Sequence, residues 1–83
     1  MSPRRPQLRG EQVIKLLQRL GYRQVGKKGG SHRKMRKVIQ GVEHNITVPV
    51  HKGKTLHPDL RDHLLKEIAE RNGMTIEEIL DLL

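Results

Sequence analysis

The run Lys27-Lys28-Gly29-Gly30-Ser31-His32 places an imidazole beside small residues and cations. Two glycines let a phosphate backbone approach the chain closely. Imidazole titrates near neutrality, so it can take the proton of a ribose 2′-hydroxyl or return one to a leaving 5′-oxygen, while lysine or arginine stabilises charge on the phosphorane. On these grounds His32 is the candidate catalytic residue. A histidine in a loop is by itself more often an ordinary surface residue, so the motif needs support from elsewhere in the chain.

A metal-assisted chemistry finds no support. His57 and His63 are six residues apart rather than one helical turn, and with His44 they lack the carboxylate or cysteine spacing of a zinc site. No metal and no cofactor are expected. The absence of cysteine removes disulfides and thiolate ligands as well, and points to a cytoplasmic protein. Met1 to Arg9 lacks the apolar run of a signal peptide and no later stretch approaches membrane-spanning length, so no membrane role is expected.

The net charge of +8 is unevenly distributed. Residues 1–54 hold 14 Lys and Arg against 2 acidic residues, and residues 55–83 hold 3 against 7. A concentrated cationic excess is the electrostatic footprint of a polyanion partner, and without a basic amphipathic helix carrying bulky anchors that partner is nucleic acid rather than lipid. Tyr22 is the single aromatic residue, which argues against readers that stack bases on exposed rings. Recognition should therefore rest on phosphate and ribose. Lys27, Lys28, Ser31, Arg33, Lys34, Arg36 and Lys37 are the expected RNA contacts, although a charged hairpin is also a common solvated face.

The elements that must position these residues follow from apolar spacing. Residues 1–9, with Pro3, Pro6 and three arginines, read as a flexible basic arm, and residues 10–83 as a single domain, since 83 residues support only one core. Val13, Ile14, Leu16, Leu17 and Leu20 recur at helical spacing from Gly10 to Leu20, with Gly21 at the left-handed position beyond the end. Tyr22 to Lys27 is a weak first strand. From Ser31 the chain reads as a hairpin through Met35 and Ile39, turning around Gly41 and returning with Ile46, Val48 and Val50. Pro49 makes the return strand an edge. Pro58 opens a helix with Leu60, Leu64, Leu65 and Ile68 on one face, ended by Asn72-Gly73. Thr75 and Glu78 form a capping box for a short last helix carrying Ile76, Ile79, Leu80 and Leu83. The expected fold is α+β: order α-β-β-β-α, a three-stranded antiparallel sheet with helices on one face, plus a short C-terminal helix.

Matching the alternation of the two hairpin strands puts Met35, Ile39, Ile46, Val48 and Val50 on the buried face, so residue numbers of opposed pairs must sum to an odd value. A turn centred near Gly41 to Glu43 gives sums of 83 or 85. His32 then lies opposite His51 or diagonal to it, both on the open face.

Several of these segments occur together in a known order. Val13-Ile14-Lys15-Leu16-Leu17 with Leu20-Gly21-Tyr22, then Gly30-Ser31-His32, then Ile46-Thr47-Val48-Pro49-Val50-His51, then Gly53-Lys54-Thr55-Leu56 and Gly73 to Glu78 resemble the HicA family of toxins over nearly the whole chain. The resemblance implies a double-stranded-RNA-binding-like fold and a metal-independent ribonuclease that cuts messenger RNA, an mRNA interferase. It also implies inhibition by a HicB-like antitoxin. His32 matches the histidine of the family's Gly-Ser-His motif, and His51 matches a position where histidine is frequent, making it a possible second acid, base or phosphate contact. The chain departs from the pattern in its long Pro58–Asn72 helix and in a hairpin turn without Pro-Asp-Gly character, features that bear on partner docking more than on chemistry. Two other readings fit the charge and the elements: a noncatalytic double-stranded-RNA-binding module, which has no need of His32, and a small ribosome-associated factor, which the basic arm would suit.

Overall fold

The computed structural model describes residues 6–26 and 30–83. Residues 1–5 of the basic arm, and the expected RNA contacts Lys27 and Lys28, lie outside the described residues. Helix α1 spans Gly10–Arg19. The side chain of Gln12 accepts from the backbone N–H of Arg9 at 2.9 Å, occupying a donor that the helix start would otherwise leave unpaired. At the other end Gly21 takes φ 95°, and the N–H of Tyr22 donates to Leu17 O while that of Gly21 donates to Gln18 O. This pair of bonds is the Schellman arrangement that a glycine beyond a helix end permits.

Strands β1 (Arg23–Val25), β2 (His32–Ile39) and β3 (Val42–Pro49) form one antiparallel sheet in the order β1-β2-β3. Pro49 therefore sits on an edge strand, where a missing N–H costs no ladder bond. Helix α2 covers Pro58–Asn72 and α3 covers Ile76–Leu80, the latter capped by Thr75 and Glu78. The order is α-β-β-β-α with the additional short helix, and the helices share one face of the sheet. Between the layers Val13, Ile14, Leu16 and Leu17 of α1 meet Met35, Ile46 and Val48 of the sheet and Leu64, Leu65, Ile68 and Ile79 of the later helices. All of these are buried, and burial of each aliphatic side chain contributes about 1.5–3 kcal/mol against chain entropy. Ile39 and Val50 are half-buried, Val50 packing on the core margin, and Leu83 is exposed while Leu82 packs against the core.

Three features depart from expectation. The hairpin turns at Gln40-Gly41, with φ of 51° and 79°, so Met35 opposes Ile46 and every pair sums to 81 rather than 83 or 85. Positive φ at both central residues marks the tight two-residue turn that suits strand twist, and Gly41 serves as its second residue instead of its first. The odd sum survives, so the buried face is the one the alternation demands. The second departure is that packing starts ahead of Gly10. Leu8 is 1% exposed, its carbonyl accepts from Leu56 N, and Arg9 bridges to Thr55. Third, no residue of the Arg23–Val25 strand joins the core; Tyr22, just before it, does.

Among the described residues no helix is long and apolar enough to cross a membrane, and no cluster of three or more His, Asp or Glu side chains is arranged to hold a metal ion.

Candidate functional site

Side-chain alternation along β2 divides the expected RNA contacts between two faces. Met35 is buried toward the helices, so Arg33 and Lys37 share its side, and His32, Lys34 and Arg36 lie on the open face. Cross-strand pairing adds Arg23 opposite Arg36, Val25 opposite Lys34, and Thr47 and Asn45 opposite Lys34 and Arg36. The open face is thus a small basic platform with His32 at one end.

His32 is exposed, and its Nδ1 lies 3.2 Å from Oγ of Ser31. This contact orients the ring and leaves Nε2 directed to other partners. The first pair of the ladder is His32 with Pro49, and Val50 N donates to Ser31 O at 2.6 Å just beyond it. His51 follows two residues after Pro49, diagonal to His32 across the end of the hairpin rather than directly opposite. By then the chain has left the strand: Lys54 N donates to His51 O at 2.9 Å, closing a turn over Lys52-Gly53 in which Gly53 takes φ 76°. His51 consequently lines a cleft that Arg33 shares and His32 does not, so the two histidines flank the strand end without sharing one surface.

The remaining cations differ in their freedom. Lys34 is exposed. Arg36 is half-buried, with Nε donating to Asn45 Oδ1 at 3.0 Å and lying 3.7 Å from Glu43. Lys37 turns toward the helices, where its Nζ donates to Asn72 Oδ1 at 3.2 Å and sits 5.6 Å from the centre of the Tyr22 ring. Its place is in the packing between sheet and α2. Among the other histidines, His57 caps α2 by accepting from Asp59 N, and His44 lies 3.5 Å from Arg71.

Sequence reasoning passed over Arg9, Lys52 and Lys54, which join Arg33 and His51 around the cleft. The composition of residues 1–9 puts Arg9 in the arm. The signal that could have moved it is Leu8, an aliphatic residue immediately before a predicted helix, in the place where a residue packing under the helix start belongs.

The family described as HicA toxin of bacterial toxin-antitoxin matches residues 10–73. No curated protein and no solved structure matches the chain.

Proposed function

The chain belongs to the HicA family of toxins from bacterial toxin–antitoxin systems, and from that premise we propose that it is a cytoplasmic, metal-independent endoribonuclease acting on messenger RNA with His32 as its catalytic base. The single observation that carries this reading is the 3.2 Å contact between Ser31 Oγ and His32 Nδ1 on an exposed, cation-rich strand end. With Nδ1–H donating to Ser31 Oγ, Nε2 is the acceptor nitrogen of the ring and takes the proton of a ribose 2′-hydroxyl. The 2′-oxygen then bonds to phosphorus and the bond to the 5′-oxygen breaks, leaving a 2′,3′-cyclic phosphate and a 5′-hydroxyl. The departing oxygen takes up a proton from water, and His51, in the neighbouring cleft, is the candidate phosphate contact. Lys34 and Arg36 approach the strand from the open face, and the outer phosphates of the substrate lie against them.

A toxin of such a system has an antitoxin partner. A HicB-like protein with an acidic surface, seated over the open face and His32, would block access to RNA and match the charge of this half of the chain.

The test is cleavage of a defined messenger RNA by the purified chain and by His32→Ala, with chelator present throughout. General acid–base catalysis contributes about 10²- to 10⁴-fold, so the variant should lose at least a hundredfold in rate while keeping its fold and its RNA affinity. Undiminished cleavage by folded His32→Ala would remove the catalytic assignment and leave a binding module.

A further inference from the structure

Beside the start of β2, on the side turned away from the open face, is an open cleft of about 880 Å³. Three segments distant in sequence wall it: the start of α1, the run Gly30, Ser31 and Arg33, and the loop 50–54. Backbone contacts fix them relative to one another, through the Arg9–Thr55 bridge, the bond from Leu56 N to Leu8 O and the bond from Val50 N to Ser31 O. Gly10 completes the junction. A Cβ at this position would collide with the carbonyl oxygen of Pro49 and come within 2.9 Å of the Val50 side chain, so only glycine lets α1 begin this close to the end of β3.

The chemistry of the walls is one-sided. Arg9, Arg33, Lys52 and Lys54 face a single carboxylate, Glu11, and none of the four cations forms an ion pair with a described carboxylate. Arg33 is half-buried, and its Nε is sheltered from solvent yet meets no hydrogen-bond acceptor. A sheltered guanidinium donor without an acceptor is costly, and such groups call for a specific explanation. Arg33 makes no described hydrogen bond or ion pair at its terminal nitrogens either, and those nitrogens can donate to an anionic oxygen in the cleft in charge-assisted bonds. Because the cations are drawn from three segments around one cleft, with exposed Gly30 and Gly53 between them, an oxyanion with donors to meet on several sides suits it better than a planar carboxylate on a peptide. Ser31 is common to this wall and to the contact with His32, so the cleft borders the catalytic residue.

We propose that this cleft is a phosphate-binding subsite, seating a backbone phosphate of the RNA adjacent to the phosphate that His32 addresses. The identity of the ligand as RNA rests on the ribonuclease reading; the affinity of the cleft for a phosphate oxyanion does not. The substrate strand then bends around the start of β2, with one phosphate against Arg33 and the loop, and the next segment running onto the open face.

The experiment is a titration of the ¹⁵N-labelled full chain with inorganic phosphate at constant ionic strength, followed by NMR. Saturable shifts are expected at Ser31, Lys52, Gly53 and Lys54 and at the Arg33 Nε–H. Affinity should fall at least tenfold in Arg33→Gln and in Lys54→Gln, and be retained in His32→Ala. Lys54 is exposed, so Lys54→Gln keeps the test valid if replacing half-buried Arg33 disturbs folding. A short RNA oligonucleotide added to His32→Ala should displace phosphate from the same resonances. Weak, unsaturable shifts spread over Lys15 and Lys66 as well would mean an adventitious ion only and overturn the proposal. So would an RNA that leaves the cleft resonances unmoved, or an acidic peptide that saturates them where phosphate does not. Phosphate saturating the cleft of a chain that cuts no RNA would instead count against the ribonuclease reading alone.

Discussion

Ser31 Oγ and His32 Nδ1 stand 3.2 Å apart at the first rung of β2, so the residue that orients the imidazole is its immediate neighbour in the chain. The ring orientation therefore depends on one short side chain and on the backbone bond from Val50 N to Ser31 O that pins it. Ser31→Ala should keep the fold and lower kcat roughly five- to tenfold, the equivalent of losing one hydrogen bond of about 1–1.4 kcal/mol. Ser31→Thr, which retains the hydroxyl, should restore most of the rate. A positioning role also predicts an altered pH–rate profile in Ser31→Ala with KM little changed; a loss confined to KM would make Ser31 a substrate contact instead.

The open-face cations should act through counterion release rather than base recognition. Lys34 is exposed between Val25 and Thr47 on the sheet surface. Lys34→Gln should weaken RNA binding by a similar factor for unrelated sequences and reduce the slope of log affinity against log salt by roughly 0.7–0.9. Lys66→Gln, on α2 among Glu67, Glu70 and Arg71, serves as the control and should leave the slope unchanged. Binding constants at four or five salt concentrations decide the matter.

Asn72 ties three elements together at the far side of the sheet. Its Nδ2 donates to Tyr22 OH at 3.1 Å and to Ile68 O at 2.8 Å, and its Oδ1 accepts from Lys37 Nζ. Tyr22 is 2% exposed, so Asn72→Ala strands a buried hydroxyl. The expected cost is about 1–3 kcal/mol, and for a domain of this size each kcal/mol lowers Tm by about 4–8 °C. Lys37→Gln should likewise reduce Tm while changing the salt slope of RNA binding less than Lys34→Gln does. The reverse ranking would return Lys37 to the nucleic-acid surface.

Much of this architecture is legible in local patterns. The stripe Val13, Ile14, Leu16 and Leu17, the glycine at 21, the proline at 58 and the Thr75–Glu78 box each specify a piece of backbone by short-range physics, and each element appears where its signal stands. What was hidden depends on contacts between distant segments. Leu8 reads as one apolar residue in a basic arm until Leu56 and Thr55 are brought beside it. Arg33 and Lys37 share the parity of Met35, so alternation puts them on the helix side, but what they meet there, Asn72 for Lys37 and the loop 50–54 for Arg33, comes from distant segments. The cleft joins residues 9, 33 and 54, and no window along the chain contains all three.

The hairpin shows the same division within a single element. Alternation requires an odd sum for opposed residues, but 81, 83 and 85 all satisfy it and bury the same side chains. The choice of 81 is made by the turn, in which both Gln40 and Gly41 adopt positive φ. Gly41 does so at no steric cost. Gln40 does not, because a side chain in the left-handed region costs about 1–2 kcal/mol, and asparagine is the residue that tolerates this place best in a two-residue turn of this kind. Gln40 is exposed and makes no described side-chain hydrogen bond that a replacement would break. Gln40→Asn should therefore stabilise the domain by about 0.5–1 kcal/mol, a share of the left-handed penalty, seen as a rise of roughly 2–8 °C in Tm. The change is remote from His32 and should leave cleavage untouched. Gln40→Val, whose branched side chain is poorly suited to positive φ, should destabilise the same turn, and NMR contacts between Val38 and Glu43 would report whether the pairing then slips toward 83. Equal Tm values for the Asn, Gln and Val forms would mean that the turn carries no strain and that the register is set elsewhere in the sheet.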